Sequence, residues 1–315
     1  MFLLCVESSH TRGMGHLFRV LNLAEALKKN SLSFLILINN HKPSINLLEA
    51  AGHNYKVVDL TDFNMDWEGN IISTYKIDVW INDRLNTDIK HSYKVKNHGI
   101  PLITFDDRGT GAAIADINFA SMVFVGDEDV PGKRVLRGVK YLILNPEINR
   151  FKRVRSKLSN LLVTMGGSDT HGATIKVVEL LINRNFSATV IVGPGFEHHE
   201  ALGRIAGHGI TIKHSVPSLI KEFNQYDLAI TGGGITPFEA NASGLPCLVI
   251  ANEQFEIPVA VKLQELGGSI FIGHHEDINF SVLSQDIPLE KMSRAGMENI
   301  TTDGVNHVIA ELLNL

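Results

Sequence analysis

The segment of residues 231–239, which reads TGGGITPFE, carries three consecutive glycines directly before a predicted helix. Backbone N–H groups of such a turn and of a helix start bind phosphate oxygens. Three flexible residues also cost folding entropy, which favours a ligand over packing as the reason for them. We therefore predict that Gly233, Gly234, Ile235 and Thr236 hold a diphosphate.

Glu239 closes this segment and has two competing roles. Thr236 is predicted as the N-cap of the helix and Pro237 as its first residue, so Glu239 would complete a capping box. A capping box needs no ligand. The alternative is that the Glu239 carboxylate contacts the ligand itself, and the sequence leaves both roles open.

A second glycine segment, residues 13–16 (GMGH), lies between the first predicted strand and the first predicted helix. Gly13 and Gly15 would let a ligand approach the main chain. His16 falls at the helix start, where its imidazole could act as a general base near neutral pH or merely cap the helix. The segment lacks the third glycine of the dinucleotide-binding fingerprint, which weighs against NAD as the ligand.

Polar residues also follow two predicted strands of the second half. Ser168 and Asp169 suit an oxyanion or a sugar hydroxyl, although a tight turn alone would explain the glycines beside them. Asn252 and Gln254 follow a later strand. Their amides could read a sugar or a base, or they could belong to a solvated loop.

Charged residues follow two predicted strands of the first half. They are Asp83 with Arg84, and Asp106 with Arg108. Because ligand crevices of α/β sheets lie at the carboxyl ends of the strands, we expect these residues to line such a crevice. Structural ion pairs within each of the two pairs are the alternative.

Short apolar runs alternate with helical patterns along the chain, which predicts parallel sheets with helices on both faces. In the first half, the predicted strands are residues 2–6, 33–38, 55–60, 78–81, 102–105 and 141–144. In the second half, they are residues 161–164, 188–192, 210–212, 228–230 and 247–250. The predicted helices are residues 16–30, 44–51, 173–183, 216–224, 237–242, 258–266 and 305–315.

The alternation pauses between residues 138 and 160, where we place a domain boundary. Two domains, residues 1–150 and 151–315, also suit a length of 315 residues, which exceeds what one hydrophobic core usually serves. We therefore expect an α/β fold of two doubly wound, Rossmann-like domains that face a central crevice.

Composition and charge exclude several classes of function. The net charge of −5 and the absence of a long basic stripe argue against nucleic-acid binding. Two cysteines cannot form a disulfide framework, and the 14 histidines show no spacing typical of a zinc site. No apolar run approaches the ~20 residues of a membrane span, and the first strand does not read as a signal peptide, so we expect a cytoplasmic protein.

Three motifs resemble those of a known family. Residues 13–19 (GMGHLFR) resemble the Gly-x-Gly-His-x-x-Arg motif of the pseudaminic-acid-pathway UDP-sugar hydrolases (PseG) and of the SpsG-like spore-coat polysaccharide biosynthesis proteins. Residues 166–169 (GGSD) are similar to a Gly-Gly-Ser-Asp segment of that family. Residues 233–246 (GGITPFEANASGLP) resemble its uridine-diphosphate motif, which the MurG-type glycosyltransferases share.

The resemblance implies a GT-B fold, with UDP held mainly by the C-terminal domain and a catalytic histidine in the N-terminal domain. It implies that His16 activates water, that Glu239 binds the ribose, and that Asn252 and Gln254 lie near the sugar. Arg19 belongs to the first motif and is expected in the same site. No metal or other cofactor is expected, because helix N-termini can stabilise the leaving diphosphate.

The chain departs from the hydrolases at residues 82–87 (NDRLNT), where they carry an Asp-x-Tyr segment. This departure favours the SpsG-like branch. The leading hypothesis is inverting hydrolysis of a UDP-linked amino or deoxy sugar, such as a diacetamido-trideoxyaltrose, in pseudaminic-type acid or surface-polysaccharide biosynthesis. An inverting glycosyltransferase with the same type of donor is the second hypothesis, and a catalytically silent nucleotide-sugar sensor is the third.

Overall fold

The computed structural model describes residues 1–9, 15–62, 65–122, 130–167, 169–205, 207, 209–214 and 216–315. Two predicted site residues, Gly13 and Ser168, lie outside these described residues. The chain divides into two compact units. Unit 1 comprises Met1–Leu144 and Asp303–Leu315, and unit 2 comprises Asn145–Thr302.

The sheet of unit 1 has seven strands in the order β3-β2-β1-β4-β5-β6-β7. All neighbouring strands run parallel. The central strands are buried on both faces, as expected for a parallel sheet between two helical layers, and they are apolar except for Asn82 and Asp83 of β4 and Thr104 of β5. The strands are β1 (Phe2–Val6), β2 (Phe34–Ile38), β3 (Tyr55–Val57), β4 (Val79–Asp83), β5 (Leu102–Phe105), β6 (Ile117–Ala120) and β7 (Val135–Arg137).

Within the described residues, five α-helices belong to unit 1. The longest follows β1, and its buried residues Leu17, Val20, Ala24 and Leu27 recur at helical spacing, so one face packs into the core. The helices are α1 (Gly15–Lys29), α2 (Lys42–Ala50), α3 (Trp67–Thr74), α4 (Ile89–Lys96) and, from the end of the chain, α11 (Gly304–Leu313).

The sheet of unit 2 repeats this layout in the order β10-β9-β8-β11-β12-β13-β14. Its strands are parallel except for β14, which is antiparallel to β13. The strands are β8 (Leu161–Thr164), β9 (Ala188–Val192), β10 (Ile210–His214), β11 (Leu228–Gly232), β12 (Cys247–Ala251), β13 (Ser269–His274) and β14 (Asp277–Ile278). The helices are α5 (Ala173–Asn183), α6 (His199–Ile205), α7 (Leu219–Phe223), α8 (Thr236–Ala242), α9 (Ile257–Glu265) and α10 (Leu289–Asn299).

The last helix differs from the expectation that residues 151–315 form one domain. Val305, Val308, Ile309 and Leu312 of α11 are buried in the same cluster as Leu17 of α1, which places the helix in unit 1. An amphipathic pattern identifies the apolar face of a helix but not the surface that covers it. The sequence therefore predicted the helix but assigned it to the second domain, whereas it packs in unit 1.

The predicted strand at residues 141–144 is wrong. The chain forms a short 3-10 helix, Val139–Tyr141, and continues without strand pairing through Leu144. All four residues are nevertheless buried. A short apolar run predicts burial, but it does not distinguish a strand from an irregular buried segment.

Among the described residues, no helix is both long and apolar enough to cross a membrane.

Candidate functional site

The carboxyl edge of the unit 1 sheet brings His16 and Asp83 together. Strands β1 and β4 are neighbours, with Val6 opposite Asp83, and α1 begins near this edge. The His16 Nδ1 atom lies 2.5 Å from Asp83 Oδ1. Asp83 is fully buried, whereas 14% of the His16 side chain is exposed. If Nδ1–H donates to the carboxylate, Nε2 becomes the free basic nitrogen of the imidazole.

Arg19 lies one helical turn after His16 and grips Asp83 with two nitrogens. Its Nε donates to Asp83 Oδ2 and its Nη2 to Asp83 Oδ1, each at 2.7 Å. Its Nη1 donates to Asp106. The guanidinium carbon also lies 5.1 Å from the centre of the Phe105 ring. The two-nitrogen contact orients the Asp83 carboxylate and is stronger than a single hydrogen bond.

The charges in this group are mutually stabilised. Burial acts to raise the pKa of Asp83, but the charges of Arg19 and His16 and their hydrogen bonds outweigh it and hold that pKa well below its usual range. Burial acts in the opposite sense on Arg19, yet Asp83 and Asp106 hold its pKa above its usual range. Asp83 is therefore a carboxylate, and Arg19 a cation, at neutral pH.

Asp106 completes what we name the charge cluster: His16, Arg19, Asp83 and Asp106. Its carboxylate also accepts a hydrogen bond from the Met122 N–H at 2.8 Å, and its φ of 48° is uncommon for a residue other than glycine. Asp106 was grouped only with its sequence neighbours, and its bond to Arg19 was not predicted. The sequence signal for part of this cluster was the i,i+3 spacing of His16 and Arg19, which places both side chains on one face of a helix.

The alternative ion pairs, Asp83 with Arg84 and Asp106 with Arg108, are wrong, since both carboxylates pair with Arg19. Asp83 ends β4, and Arg84 lies after the strand, where its Nε is 3.4 Å from Glu7 Oε2. Arg84 itself is buried and donates to the Leu60 carbonyl oxygen at 3.0 Å. That contact supports a structural role for Arg84 rather than the expected substrate contact.

A second carboxylate–imidazole pair in unit 1 was missed by the sequence analysis. His91 Nδ1 lies 3.0 Å from Glu68 Oε1, and both side chains are fully buried. Lys94 donates to the other Glu68 oxygen at 3.1 Å. The His91 ring packs against Trp67 and Trp80, and its Nε2 is buried without a hydrogen-bond partner among the described residues. Burial lowers the pKa of His91 and keeps the ring neutral.

The glycines of unit 2 follow β11 and have different surroundings. A Cβ on Gly232 would lie 2.8 Å from Asn252 Nδ2, and one on Gly233 would lie 2.8 Å from the Cβ of Glu256. Packing therefore explains these two glycines, contrary to the prediction that all three pack against nothing. A Cβ on Gly234 would meet no atom within 4 Å. Its open surroundings leave room for a ligand beside the main chain.

Helix α8 does not have the predicted capping box. Its N-cap is Ile235, which has helical φ and ψ of −74° and −27° and no side-chain cap, while Thr236 is already helical. Because Thr236 lies inside the helix and Ile235 has no side-chain acceptor, Thr236 and Glu239 do not form the predicted box, and this prediction is wrong. Burial raises the pKa of Glu239 to about 7. Within the described part of the chain, the Glu239 carboxylate has no hydrogen-bond partner.

The segment after β12 is held by hydrogen bonds among its own residues. Glu253 and Glu256 form a reciprocal capping box, and the Glu256 carboxylate accepts from the Asn252 N–H at 2.7 Å. The Asn252 Oδ1 atom is buried and lacks a partner among the described side chains and backbone groups. Gln254 is exposed. This segment thus offers the unsatisfied amide oxygen of Asn252, whose side chain lies beside Gly232, and the exposed amide of Gln254.

Asp169 has a structural contact. Its two carboxylate oxygens accept from the N–H groups of Ala173 and Thr174, at 2.8 and 2.9 Å, at the start of α5. Asp169 therefore satisfies a helix N-terminus, which supports a capping role rather than the expected contact with substrate. Gly15, by contrast, is exposed at the start of α1 with no atom within 4 Å of an added Cβ.

In the part of the chain that the structure describes, no group of three or more His, Cys, Asp or Glu side chains is arranged to hold a metal ion.

Sequence comparison finds two curated relatives, and no family model matches the chain. An uncharacterised protein of Methanocaldococcus jannaschii is 29% identical over 272 residues, which cover 79% of the chain and 55% of that protein. The chain thus spans about half the length of this relative. The spore coat polysaccharide biosynthesis protein SpsG of Bacillus subtilis is 24% identical, and the alignment covers 98% of the chain and 96% of SpsG.

Solved structures are similar over the whole chain. MurG from Acinetobacter baumannii gives a TM-score of 0.70 at 14% identity, covering 100% of the chain and 99% of MurG. A UDP-GlcNAc 2-epimerase from Neisseria meningitidis, bound to UDP-GlcNAc, gives 0.67 at 14% identity with full coverage of both chains. The spinosyn rhamnosyltransferase SpnG, complexed with thymidine diphosphate, gives 0.64 at 16% identity, again with full coverage. The chain therefore has the GT-B fold of two Rossmann-like domains, as the sequence predicted.

Proposed function

We propose that the protein processes a nucleotide sugar in polysaccharide biosynthesis, and that its reaction is hydrolysis of a UDP-linked amino or deoxy sugar. The observation that carries the proposal is the His16–Asp83 pair. Its carboxylate is buried, ionised and held by Arg19, while the imidazole remains partly exposed. Such a pair is suited to removing a proton from a nucleophile at neutral pH.

In the proposed reaction, His16 Nε2 takes a proton from water as the water oxygen attacks the anomeric carbon. The bond between that carbon and the diphosphate oxygen breaks, and UDP leaves with the electron pair. Asp83 stabilises the imidazolium that forms and keeps the ring in the required tautomer. A single displacement inverts the configuration of the anomeric carbon.

The nucleotide is assigned to unit 2. Gly234, Ile235 and Thr236 would hold the diphosphate through the main chain, since Gly234 has open space around it. Glu239 would bind the ribose hydroxyls, because its carboxylate is neither a cap nor hydrogen-bonded within the described residues. Asn252 would offer its unsatisfied oxygen to the sugar.

The comparisons support a nucleotide-sugar ligand in general terms. SpsG is named for spore coat polysaccharide biosynthesis, and structures with the same fold hold UDP-GlcNAc or thymidine diphosphate. The specific pseudaminic-pathway reaction is part of our proposal and rests on the motif around His16. An inverting glycosyltransferase is the second candidate, favoured by the likeness to MurG and SpnG. In that case, a sugar hydroxyl replaces the water.

The deciding experiment measures UDP release from a panel of UDP-linked amino and deoxy sugars, with and without sugar acceptors. Release without acceptor that disappears in His16→Ala supports the hydrolase. Release that requires an acceptor supports the transferase instead. UDP binding without turnover of any donor would contradict both the hydrolase and the transferase, and it would support a nucleotide-sugar sensor.

The ribose contact has its own test. Glu239→Gln should weaken UDP binding about tenfold, measured by calorimetry at pH 8, where the wild-type carboxyl is mostly ionised, since a neutral amide accepts less strongly from the ribose hydroxyls. The free energy of unfolding of this variant should not fall, because Glu239 caps no helix. Unchanged UDP affinity would remove Glu239 from the nucleotide site.

A further inference from the structure

We propose that Asp106 is a positioning residue whose negative charge lets His16 accept a proton during the reaction. The inference rests on the proposed role of His16 as the base. It goes further by assigning an electrostatic task to a residue that has no hydrogen bond to the imidazole.

The contacts run in one line through the charge cluster. Asp106 accepts from Arg19 Nη1, Arg19 holds Asp83 through Nε and Nη2, and Asp83 accepts from His16 Nδ1. Arg19 also approaches the imidazole directly, with Nη2 3.4 Å from His16 Nδ1. Among the described residues, the charged groups that contact His16 are therefore Asp83 from β4 and Arg19 from α1. Asp106, after β5, reaches it through Arg19.

The charge balance of this cluster depends on Asp106. Two carboxylates and one guanidinium sum to −1, so that a proton on His16 makes the cluster neutral. Without the Asp106 charge, Asp83 and Arg19 already cancel. An imidazolium would then add an uncompensated positive charge beside a guanidinium that is itself almost fully buried.

The surroundings of Asp106 keep its carboxylate in place for this task. It accepts from the Met122 N–H at 2.8 Å and from Ser121 Oγ at 3.2 Å, and its backbone adopts a left-handed conformation. A purely structural role would consist of orienting Arg19 alone. The two roles differ in their effect on the proton affinity of His16, which can be measured without turnover.

The test is an NMR titration of the full chain, with the His16 signal identified by its absence in His16→Gln. Asp106→Asn keeps the size of the side chain and one oxygen acceptor, and it should lower the His16 titration midpoint by about one pH unit. Asp107→Asn is the matched control. Asp107 is the next residue, and it is buried, but it accepts from Thr87 and Gly109 instead of Arg19. Its variant should leave the midpoint near that of the wild type.

Two further variants separate charge from structure. Arg19→Gln combined with Asp106→Asn removes one charge of each sign, so the midpoint should return toward the wild-type value. Arg19→Gln alone should raise the midpoint, because the guanidinium lies beside the imidazole. The difference between Arg19→Gln and the double variant isolates the Asp106 charge, so the inference can be tested even if Asp106→Asn alone does not fold. A midpoint that is unchanged in Asp106→Asn, equally lowered in Asp107→Asn, or not restored in the double variant would overturn the inference.

This titration also stays separate from the proposed function. If His16→Ala still releases UDP, the proposed base is wrong, whereas the titration still measures the charge coupling. If His16→Ala is inactive and Asp106→Asn titrates like the wild type, only the role of Asp106 is wrong.

Discussion

Among the described residues of unit 1, two histidines contact a buried carboxylate through Nδ1, in two different environments. His16 with Asp83 and His91 with Glu68 each place an imidazole Nδ1 within 3.0 Å of a buried carboxylate oxygen. They differ at the second nitrogen of the ring. His91 is fully buried between two tryptophans, whereas the His16 side chain is partly exposed. A carboxylate–imidazole pair is thus a candidate base only where the second nitrogen can reach solvent or substrate.

The partner cation adds to this contrast. Asp83 is held by the rigid fork of Arg19, while Glu68 is held by the single ammonium of Lys94. A guanidinium fixes the direction of a carboxylate, and an ammonium acts as a point charge. The first arrangement fixes the orientation of the carboxylate beside His16, and the second places a cation beside a carboxylate in the core.

The largest expected effect is loss of activity on changing the exposed pair. His16→Ala should lower kcat for UDP release about 10³-fold, since a positioned general base contributes ~10²–10⁴-fold. Unfolding in urea should change little, because Asp83 keeps its two bonds to Arg19. If His16→Ala keeps activity within threefold of the wild type, the exposed pair does not supply the base.

Asp83→Asn should lower kcat about 10²-fold. The amide nitrogen of an asparagine would donate toward Nδ1 and favour the tautomer that carries its proton on Nε2, so the free base would be lost. The measurement is the rate of UDP release across pH 5–9. The interpretation fails if the rate is lost while the pH profile of the remaining activity keeps the wild-type shape and midpoint.

Changing the buried pair should affect stability and not activity. Glu68→Gln leaves His91 and Lys94 without their carboxylate and should destabilise the protein by about 1–3 kcal/mol. The two tryptophans of the chain, Trp67 and Trp80, lie beside His91, so their fluorescence in urea reports this region. A variant that loses turnover at unchanged stability would show that the buried pair also serves the reaction.

The smallest expected effect is on the pH dependence of stability. Burial lowers the pKa of His91 in the folded protein below the unfolded value of roughly 6.5, so the unfolded chain binds the extra proton first. Its contribution to stability is therefore complete above pH ~6.5 and is lost as the pH falls below that value. His91→Gln should show a flatter decline of the melting temperature between pH 7 and 5. An equally steep decline in the variant would contradict this assignment.

The sequence predicted most of the buried framework and only part of the site. Strands such as Phe2–Val6 and Leu161–Thr164, and the helix Ala173–Asn183, match their predicted bounds, because apolar runs and helical spacing follow directly from burial. Strand β6 carries the polar Asn118 in its centre and was missed. A polar residue interrupts an apolar run even when, as here, it is buried and donates to backbone oxygens.

Within the site, sequence order identified residues but not their partners. His16 and Asp83 were expected at the same sheet edge, and the fold brings them into contact. Glu68 and His91 lie on two different helices, and no local pattern predicts that contact. The capping pattern at residues 236–239 failed because capping depends on backbone angles at the N-cap, while the box that forms, at Glu253 and Glu256, has no Ser or Thr to signal it.

The return of α11 to unit 1 has a consequence for how the protein is made. Residues 145–302 are contiguous, so unit 2 has its whole sequence available while the chain is still emerging from the ribosome. Unit 1 begins first but needs Val308 and Leu312, which are synthesised after all of unit 2, to cover its core. The unit that carries the proposed base is therefore the last to be completed.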